Sequence, residues 1–206
     1  MVSVPRLHLI TDRRLVTSLP ERAAAALRGL PPGAVAVHLR EKDLGGGALL
    51  ALARALRRAC DVAGQLLLVN DRLDVALAAG ADGVHLPSAG VPVADARRML
   101  GPAALVGSSC HSRADVARAL REGASYATFS PVFDTPSKRQ FGAPVGVPAL
   151  REAAALGLPL VALGGIDAAR MPEVRAAGAV GVAAIRAWLV GDDPGAAVRA
   201  LLGLDP

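Results

Sequence analysis

One histidine of this chain is flanked by hydroxyl groups at a spacing suited to proton transfer. His111 lies between Ser109 and Ser112, just beyond an apolar run that ends at Gly107. An imidazole changes its charge near neutral pH, and a neighbouring hydroxyl can fix which ring nitrogen carries the proton. We therefore predict that His111 is a general acid or base. A histidine that caps a helix on the surface is the alternative.

Three cations are predicted to share one rim of the fold. Arg40 and Lys42 follow the second apolar run of the chain, and Lys138 lies in a later polar stretch. Three positive charges in one small cleft would favour a substrate with more than one anionic group. Glu41 and Asp43 provide the alternative, since they could neutralise Arg40 and Lys42 as ordinary surface ion pairs.

A glycine pair follows the seventh apolar run, and a cation follows the eighth. Gly164 and Gly165 come directly after residues 160–163, and Ile185 and Arg186 come directly after residues 181–184. Glycine lets the backbone approach a ligand closely, and backbone N–H groups at this end of barrel strands bind phosphate. We therefore predict a phosphate site formed by Gly165, Ile185 and Arg186.

Eight short apolar runs alternate with Ala-rich helical stretches. This alternation predicts an α/β fold with parallel strands, a single (β/α)₈ barrel that covers residues 1–206 as one domain. An open doubly wound sheet is the alternative, but its GxGxxG motif is missing after the first run, where Thr11-Asp12-Arg13-Arg14 stands. The predicted strands are 7–10, 35–39, 66–69, 83–86, 104–107, 126–129, 160–163 and 181–184. The predicted helices are 21–30, 48–63, 71–79, 94–100, 113–121, 148–155, 167–176 and 194–202.

Three segments repeat one design, which supports the barrel. They are 76–86 (ALAAGADGVHL), 119–129 (ALREGASYATF) and 174–184 (VRAAGAVGVAA), and each reads as a helix end, Gly-Ala and a strand. We expect Gly80, Gly123 and Gly178 to end their helices in the left-handed conformation. Residues 135–146 have no such pattern and are predicted to form a loop that covers the site.

Composition and charge argue against several classes of partner. The formal net charge of +5 comes from scattered arginines, and the chain has one Trp, one Tyr and three Phe for stacking on bases. We therefore predict no nucleic-acid partner. No apolar run approaches the roughly 20 residues that span a bilayer and no signal sequence is evident, so we expect a cytoplasmic protein without a membrane partner. Formation of a homo-oligomer stays open.

Six motifs occur in an order and at a spacing that fit such a barrel. They are His38-Leu39-Arg40-Glu41-Lys42-Asp43, Asn70-Asp71-Arg72, Gly83-Val84-His85-Leu86, Ser109-Cys110-His111-Ser112, residues 130–138 and Gly164-Gly165-Ile166. Together they resemble the thiamine phosphate synthase and TenI superfamily, from Leu7 to about Leu189. The resemblance implies a (β/α)₈ barrel whose substrate is a small phosphorylated thiazole.

One branch of this superfamily is the synthase, which couples hydroxymethylpyrimidine diphosphate to a thiazole phosphate with Mg²⁺ present and releases diphosphate. The resemblance implies that Asp71 is one Mg²⁺ ligand. However, Pro87-Ser88-Ala89-Gly90 lacks the acidic ligands of the synthase pattern, and His38 replaces a Gln. The resemblance further assigns Arg40, Lys42, Asn70 and Lys138 to the pyrimidine and diphosphate site, Thr135, Pro136 and Ser137 to the thiazole loop, and Gly165, Ile185 and Arg186 to the phosphate site.

The TenI branch, a thiazole tautomerase, is similar at the points where the synthase pattern departs. It has His-x-Arg on the second strand, Leu-Pro-Ser after the fourth and Ser-x-His-Ser after the fifth. It aromatises the ylidene form of carboxythiazole phosphate by proton transfer, without metal or cofactor. The favoured interpretation is therefore a tautomerase with His111 as its acid/base and with His38 and Ser109 in the substrate site. The synthase, with Mg²⁺ at Asp71, is the alternative, and a non-catalytic thiazole-phosphate-binding regulator is a further one.

Overall fold

Eight parallel strands pair in the order of the chain in the computed structural model, which describes residues 3–135 and 143–204, and β8 closes against β1. The predicted (β/α)₈ barrel is therefore confirmed. The strands are Leu7–Ile10 (β1), Val35–Leu39 (β2), Leu66–Asn70 (β3), Gly83–Leu86 (β4), Leu105–Cys110 (β5), Tyr126–Phe129 (β6), Leu160–Leu163 (β7) and Gly181–Ala184 (β8). The helices are Leu19–Leu27 (α1), Gly46–Ala63 (α2), Leu73–Ala79 (α3), Val93–Leu100 (α4), Arg113–Arg121 (α5), Gly146–Ala154 (α6), Met171–Ala176 (α7), Arg186–Leu189 (α8) and Pro194–Leu202 (α9).

Both faces of the sheet are buried, as expected for a parallel barrel surrounded by helices. One set of alternating residues, such as Leu7, Val37 and Phe129, packs against the helices. The other set, such as Leu68 and Tyr126, fills the inside of the barrel. Because side chains alternate along a strand, the inward set also decides which residues appear at the rim.

Two inward positions on neighbouring strands require glycine. A Cβ atom on Gly83 would lie 1.9 Å from the carbonyl oxygen of Leu105, and one on Gly107 would lie 2.2 Å from Cζ of Tyr126. The missing side chain at Gly107 therefore provides the space in which the Tyr126 ring crosses the barrel.

The left-handed helix ends predicted from the repeat are present. The φ angles are 63° at Gly80, 84° at Gly123 and 97° at Gly178. Each turn carries the chain from a helix directly into the next strand, so the repeat reports the architecture correctly.

Strand β5 runs three residues further than predicted. Ser108, Ser109 and Cys110 pair with residues 127–129 of β6, although serine is a poor strand former by itself. Ser109 consequently stands on the barrel wall and not in the loop beyond it.

Among the residues that the structure describes, none of the helices is both long and apolar enough to span a bilayer.

Candidate active site

The carboxyl ends of β2, β3 and β5 bring three of the predicted binding residues to one rim. Asn70 and Ser109 are the last inward-facing residues of β3 and β5, and Arg40 continues the inward row of β2 two residues beyond His38. Asn70 and Ser109 are half-buried, whereas Arg40 is exposed. The rim therefore presents an amide, a hydroxyl and a guanidinium toward the mouth of the barrel.

The two acidic residues that follow the rim cations in the chain bind a different arginine. Arg13 donates to Asp43 at 2.7 and 2.9 Å and to Glu41 Oε2 at 3.2 Å, and its backbone N–H donates to Glu41 Oε1 at 3.0 Å. Glu41 is buried by this contact. Arg40 and Lys42 consequently form no ion pair within residues 3–135 and 143–204. The interpretation that Glu41 and Asp43 neutralise them is wrong.

The backbone that carries Arg40 is fixed to the end of β1. The N–H of Thr11 donates to the carbonyl of His38 at 3.0 Å, and the N–H of Arg40 donates to Oγ1 of Thr11 at 2.9 Å. Asp12, the next residue, pairs with Arg14 at 2.8 Å, and this bond lowers the pKa of the Asp12 carboxyl. The acidic group nearest this strand end is thus already paired, and the rim keeps a positive character.

Asp71 holds an unusual backbone conformation at the end of β3. Its φ angle is 67°, its N–H donates to the carbonyl of His85 at 3.0 Å, and a Cβ atom on Gly90 would lie 3.0 Å from its Oδ1. A non-glycine residue in this region is sparsely populated and often marks a functional position. The left-handed backbone places the carboxylate beside the loop that follows β4.

The surroundings of Asp71 fit a Mg²⁺ ion that arrives with a diphosphate. The residues described by the structure include no cluster of three or more His, Cys, Asp or Glu that could hold a metal by themselves. Mg²⁺ needs no such cluster, because it commonly binds through one or two carboxylates together with substrate phosphates and water. An exposed Asp71 carboxylate supplies one such ligand.

His111 is bound through its ring to the end of the neighbouring strand. Its Nδ1 lies 2.7 Å from the carbonyl oxygen of Ser130, which can only accept, so Nδ1 carries the proton. Ser112 instead caps α5, where it accepts from the N–H of Asp115 at 3.1 Å, and Ser109 bonds to His85. The prediction that Ser109 or Ser112 fixes the tautomer of His111 is therefore wrong.

The predicted phosphate loop packs tightly against the segment that follows β6. Gly165 has a φ angle of 64°, and a Cβ atom there would lie 2.9 Å from both the carbonyl oxygen of Asp134 and Cβ of Phe133. Phe133 also donates its N–H to the carbonyl of Gly164 at 3.1 Å. Arg170 places its guanidinium 4.5 Å from the Phe133 ring centre and donates to the carbonyl of Gly165. Sequence reasoning singled out neither residue: Phe133 lies unremarked within the motif at residues 130–138, and Arg170 belongs to none of the motifs.

Arg186 is the first residue of α8, a short helix that was not predicted. Trp188 anchors this helix: its ring is fully buried, and its Nε1–H donates to the carbonyl of Ile10 at 3.1 Å. Arg22 adds a bond from its Nε to the carbonyl of Trp188 at 2.9 Å. The exposed Arg186 side chain therefore starts from a fixed backbone next to Ile185 and β1.

His38 lies deeper than a rim residue. Its side chain is buried in the barrel, and its Nε2 lies 2.7 Å from Nδ1 of His8. Burial lowers the pKa of His38 well below its ordinary value, so the ring is neutral. Of the predicted thiazole loop, Thr135 is described, whereas Pro136, Ser137 and Lys138 lie outside the described residues, as does most of the predicted covering loop 135–146.

The fold and this rim define a (β/α)₈ barrel whose site lies at the carboxyl ends of the strands. The model of the thiamine monophosphate synthase family matches residues 7–188, and the chain belongs to this family. A thiamine-phosphate synthase from Methanoculleus marisnigri is 48% identical over 95% of this chain and 92% of its own length. A thiamine-phosphate synthase from Roseiflexus castenholzii is 45% identical over 94% of this chain and 85% of its own length. The solved structure of thiamine phosphate pyrophosphorylase from Pyrococcus furiosus matches this fold with a TM-score of 0.84. The match covers 95% of this chain and 93% of that chain, at 32% sequence identity.

The expectation of a cofactor-independent thiazole tautomerase is wrong. The relatives that match nearly the whole chain are named thiamine-phosphate synthases. Two of the features that had favoured the tautomerase are the histidine at position 38 and the missing carboxylate after β4. The structure gives each another explanation, because His38 bonds to His8 inside the barrel and because one carboxylate can suffice for Mg²⁺ beside a diphosphate.

Proposed function

We propose that the protein is a thiamine phosphate synthase, which couples hydroxymethylpyrimidine diphosphate to thiazole phosphate and releases diphosphate. The observation that carries this proposal is the state of the rim cations. Glu41 and Asp43 bind Arg13, so the charges of Arg40 and Lys42 remain available to a diphosphate. Asp71, whose left-handed backbone places its carboxylate on the same rim, is suited to the Mg²⁺ that a diphosphate brings.

The two substrates would occupy opposite sides of the barrel mouth. Arg40, Lys42, Asn70 and Ser109 stand at the ends of β2, β3 and β5, and are assigned to the pyrimidine and diphosphate together with Lys138. Thr135 to Ser137 and the loop of Gly165, Ile185 and Arg186 follow β6, β7 and β8 in the chain, and are assigned to the thiazole and its phosphate. This placement brings the reacting carbon and the thiazole nitrogen together across the mouth, which replaces a costly encounter of two free molecules.

The leaving group determines where charge must be stabilised. When the bond between the pyrimidine's exocyclic carbon and the diphosphate oxygen breaks, the electron pair stays on the diphosphate. Arg40 and Lys42 are suited to compensate that developing charge, since fixed cations at the leaving group lower the barrier. When bound, Mg²⁺ would neutralise further charge on the diphosphate. His111 would hold the end of β6, from which the thiazole loop departs, through its bond to Ser130.

A paired assay tests the proposal. Thiamine phosphate and diphosphate are measured with both substrates and Mg²⁺, then with EDTA, for the wild type, Asp71→Asn and the control Asp74→Asn. Asparagine tolerates the left-handed backbone, so Asp71→Asn should fold. Asp74 is exposed and pairs with Arg72 at 2.5 Å.

We expect EDTA to abolish coupling by the wild type and Asp71→Asn to lose about 10- to 100-fold in activity, as changes around a metal site typically do. Asp74→Asn should retain full activity. Failure of the wild type to form thiamine phosphate with Mg²⁺ present would overturn the proposal. Equal activity of Asp71→Asn and Asp74→Asn would overturn the role of Asp71.

A further inference from the structure

A continuous column of polar side chains runs through the inside of the barrel. It consists of His8, His38, Tyr126, His85 and Ser109, and we call it the interior column. His8 Nδ1 lies 2.7 Å from His38 Nε2, which lies 3.4 Å from the Tyr126 hydroxyl. The hydroxyl lies 3.1 Å from His85 Nδ1, and His85 Nε2 lies 3.0 Å from Ser109 Oγ. The column thus connects the interior of the barrel to the rim.

The rings of the column are also packed against one another. The centroids of His8 and His38 are 4.8 Å apart, those of His38 and His85 are 5.2 Å apart, and those of His85 and Tyr126 are 5.6 Å apart. Gly107 makes room for the Tyr126 ring, as described above. This packing leaves each ring little freedom to turn, so the direction of each hydrogen bond is set by the position of the protons.

The lower end of the column fixes the direction of the whole chain of bonds. His8 Nε2 lies 3.0 Å from the carbonyl oxygen of Pro5, which accepts only, so His8 Nε2 carries a proton. In a neutral ring His8 Nδ1 is then an acceptor, and His38 Nε2 must donate to it. Because the protonated Nε2 of His38 has no free lone pair, it cannot accept a hydrogen bond from the Tyr126 hydroxyl 3.4 Å away.

The same reasoning continues to the rim. Since the Tyr126 hydroxyl cannot donate a hydrogen bond to His38, it donates to Nδ1 of His85 at 3.1 Å. A neutral His85 then carries its proton on Nε2 and donates it to Ser109 Oγ at 3.0 Å, and more weakly to Thr128 Oγ1 at 3.2 Å. Ser109 therefore accepts from the column, and its own hydroxyl proton is left for another partner.

The three histidines stay neutral because they are buried. His8, His38 and His85 are all buried inside the barrel. Burial lowers the pKa of His8 to about 4 and the pKa of His38 well below its ordinary value. A protonated ring would break the direction of the chain, since both of its nitrogens would donate.

We propose that the interior column is a proton-ordered chain that turns the Ser109 hydroxyl into a donor aimed away from His85, toward an acceptor atom of the substrate. His85 and Tyr126 are then positioning residues that act through Ser109. This inference rests on the proposed function for the identity of the substrate, but the order of protons along the column can be measured without any substrate.

Three variants separate this role from simple packing. Tyr126→Phe keeps the ring and removes the hydroxyl, so His85 Nδ1 loses its donor and His85 can take the other tautomer, in which Ser109 must donate to it. We expect Tyr126→Phe and Ser109→Ala each to raise KM for the pyrimidine diphosphate about tenfold with little change in kcat, the loss of one good hydrogen bond. The double variant should be no worse than Ser109→Ala. Thr128→Val removes a hydroxyl from the same region but leaves the His85 to Ser109 bond, and should change KM less than about twofold.

The tautomers are read directly from long-range ¹H–¹⁵N spectra of ¹⁵N-histidine protein at pH 7.5, in which the chain gives four histidine ring systems. We expect His85 to carry its proton on Nε2 in the wild type and in Thr128→Val, and to lose this preference in Tyr126→Phe. A wild-type His85 protonated on Nδ1 would overturn the proposal, whether or not the protein forms thiamine phosphate. So would a Tyr126→Phe variant that keeps the wild-type KM while Ser109→Ala loses affinity, or an unaffected Ser109→Ala.

Discussion

The ring Nδ1 of His111 donates to the carbonyl oxygen of Ser130 at 2.7 Å, and so joins the loop after β5 to the end of β6. The side chain is exposed, and its Nε2 remains an acceptor in the neutral ring. The role of general acid or base was predicted for His111 from its residue type and position, and the tautomerase interpretation used the same role. In the proposed coupling reaction, His111 would instead hold the segment after β6, from which the thiazole loop departs.

Two substitutions at His111 distinguish these roles. His111→Asn can keep the bond, because the Asn side-chain N–H₂ can reach the position of Nδ1, whereas His111→Ala removes it. We expect His111→Ala to lower kcat/KM for thiazole phosphate about tenfold and His111→Asn to stay within about threefold of the wild type, as measured by initial rates. Equally large losses in both variants would show that the ring itself takes part in proton transfer.

Glu41 should contribute to stability and to the position of the rim cations. Its buried carboxylate accepts from the backbone and the guanidinium of Arg13, so Glu41→Ala leaves the half-buried N–H of Arg13 without its acceptor. We expect a loss of about 1–3 kcal/mol in the free energy of unfolding, measured with urea, and a raised KM for the pyrimidine diphosphate. Asp43→Ala is the matched control, since it removes the exposed partner of the same arginine and should leave both quantities nearly unchanged. Equal effects of the two substitutions would contradict this account.

Gly165 should be required for the phosphate loop on two grounds, its left-handed backbone and the close approach of Phe133 and Asp134. Gly165→Ala must displace one of these contacts, and we expect KM for thiazole phosphate to rise at least about tenfold. Gly29→Ala provides the control, because Gly29 has a φ angle of 70° but nothing within 4 Å of its Cβ position. Backbone strain alone should cost that control about 1 kcal/mol of stability and no substrate affinity. A wild-type KM in Gly165→Ala would show that the loop adapts.

Stability should fall as the pH is lowered from neutrality. The pKa of His8 is lowered from 6.5 to about 4, and the pKa of His85 from 6.5 to about 3, because both rings are buried. Below pH 6.5 the unfolded chain therefore binds protons that the folded chain does not, and the free energy of unfolding decreases down to about pH 4. The slope is up to about 1.4 kcal/mol per pH unit for each such histidine.

Urea unfolding at pH 7.5, 6.5, 5.5 and 4.5 measures this slope. The carboxyls of Asp43 and Asp74, whose pKa values are lowered to about 2 by Arg13 and Arg72, lose their stabilising effect only below about pH 4 and do not affect this range. His38→Gln removes one buried imidazole and should reduce the slope. A free energy of unfolding that is constant from pH 6.5 to 4.5 would contradict the neutral interior column.

The barrel could be derived from the sequence because its signals are local. Apolar runs, helical periodicity and the Gly-Ala turns each depend on residues a few positions apart, and the ends of α5 and α9 agree with the pattern at 113–121 and 194–202. Parallel strands that alternate with helices then leave few ways to close the sheet. The same topology placed Arg40, Asn70, Ser109 and Asp71 at one end, since residues that follow the strands must meet there.

What each of these residues contacts was decided by the tertiary structure. Arg13 takes the acidic partners that stood next to Arg40 and Lys42 in the chain, and Ser130 binds His111 from 19 residues away. His38 lies in a motif beside Arg40, yet its partner is His8 inside the barrel. Neighbours in sequence point to opposite faces of a strand, whereas neighbours in space come from other strands. Charge pairing, tautomers and burial depend on the latter, so the sequence alone determined which residues reach the site and the closed barrel determined what they can do there.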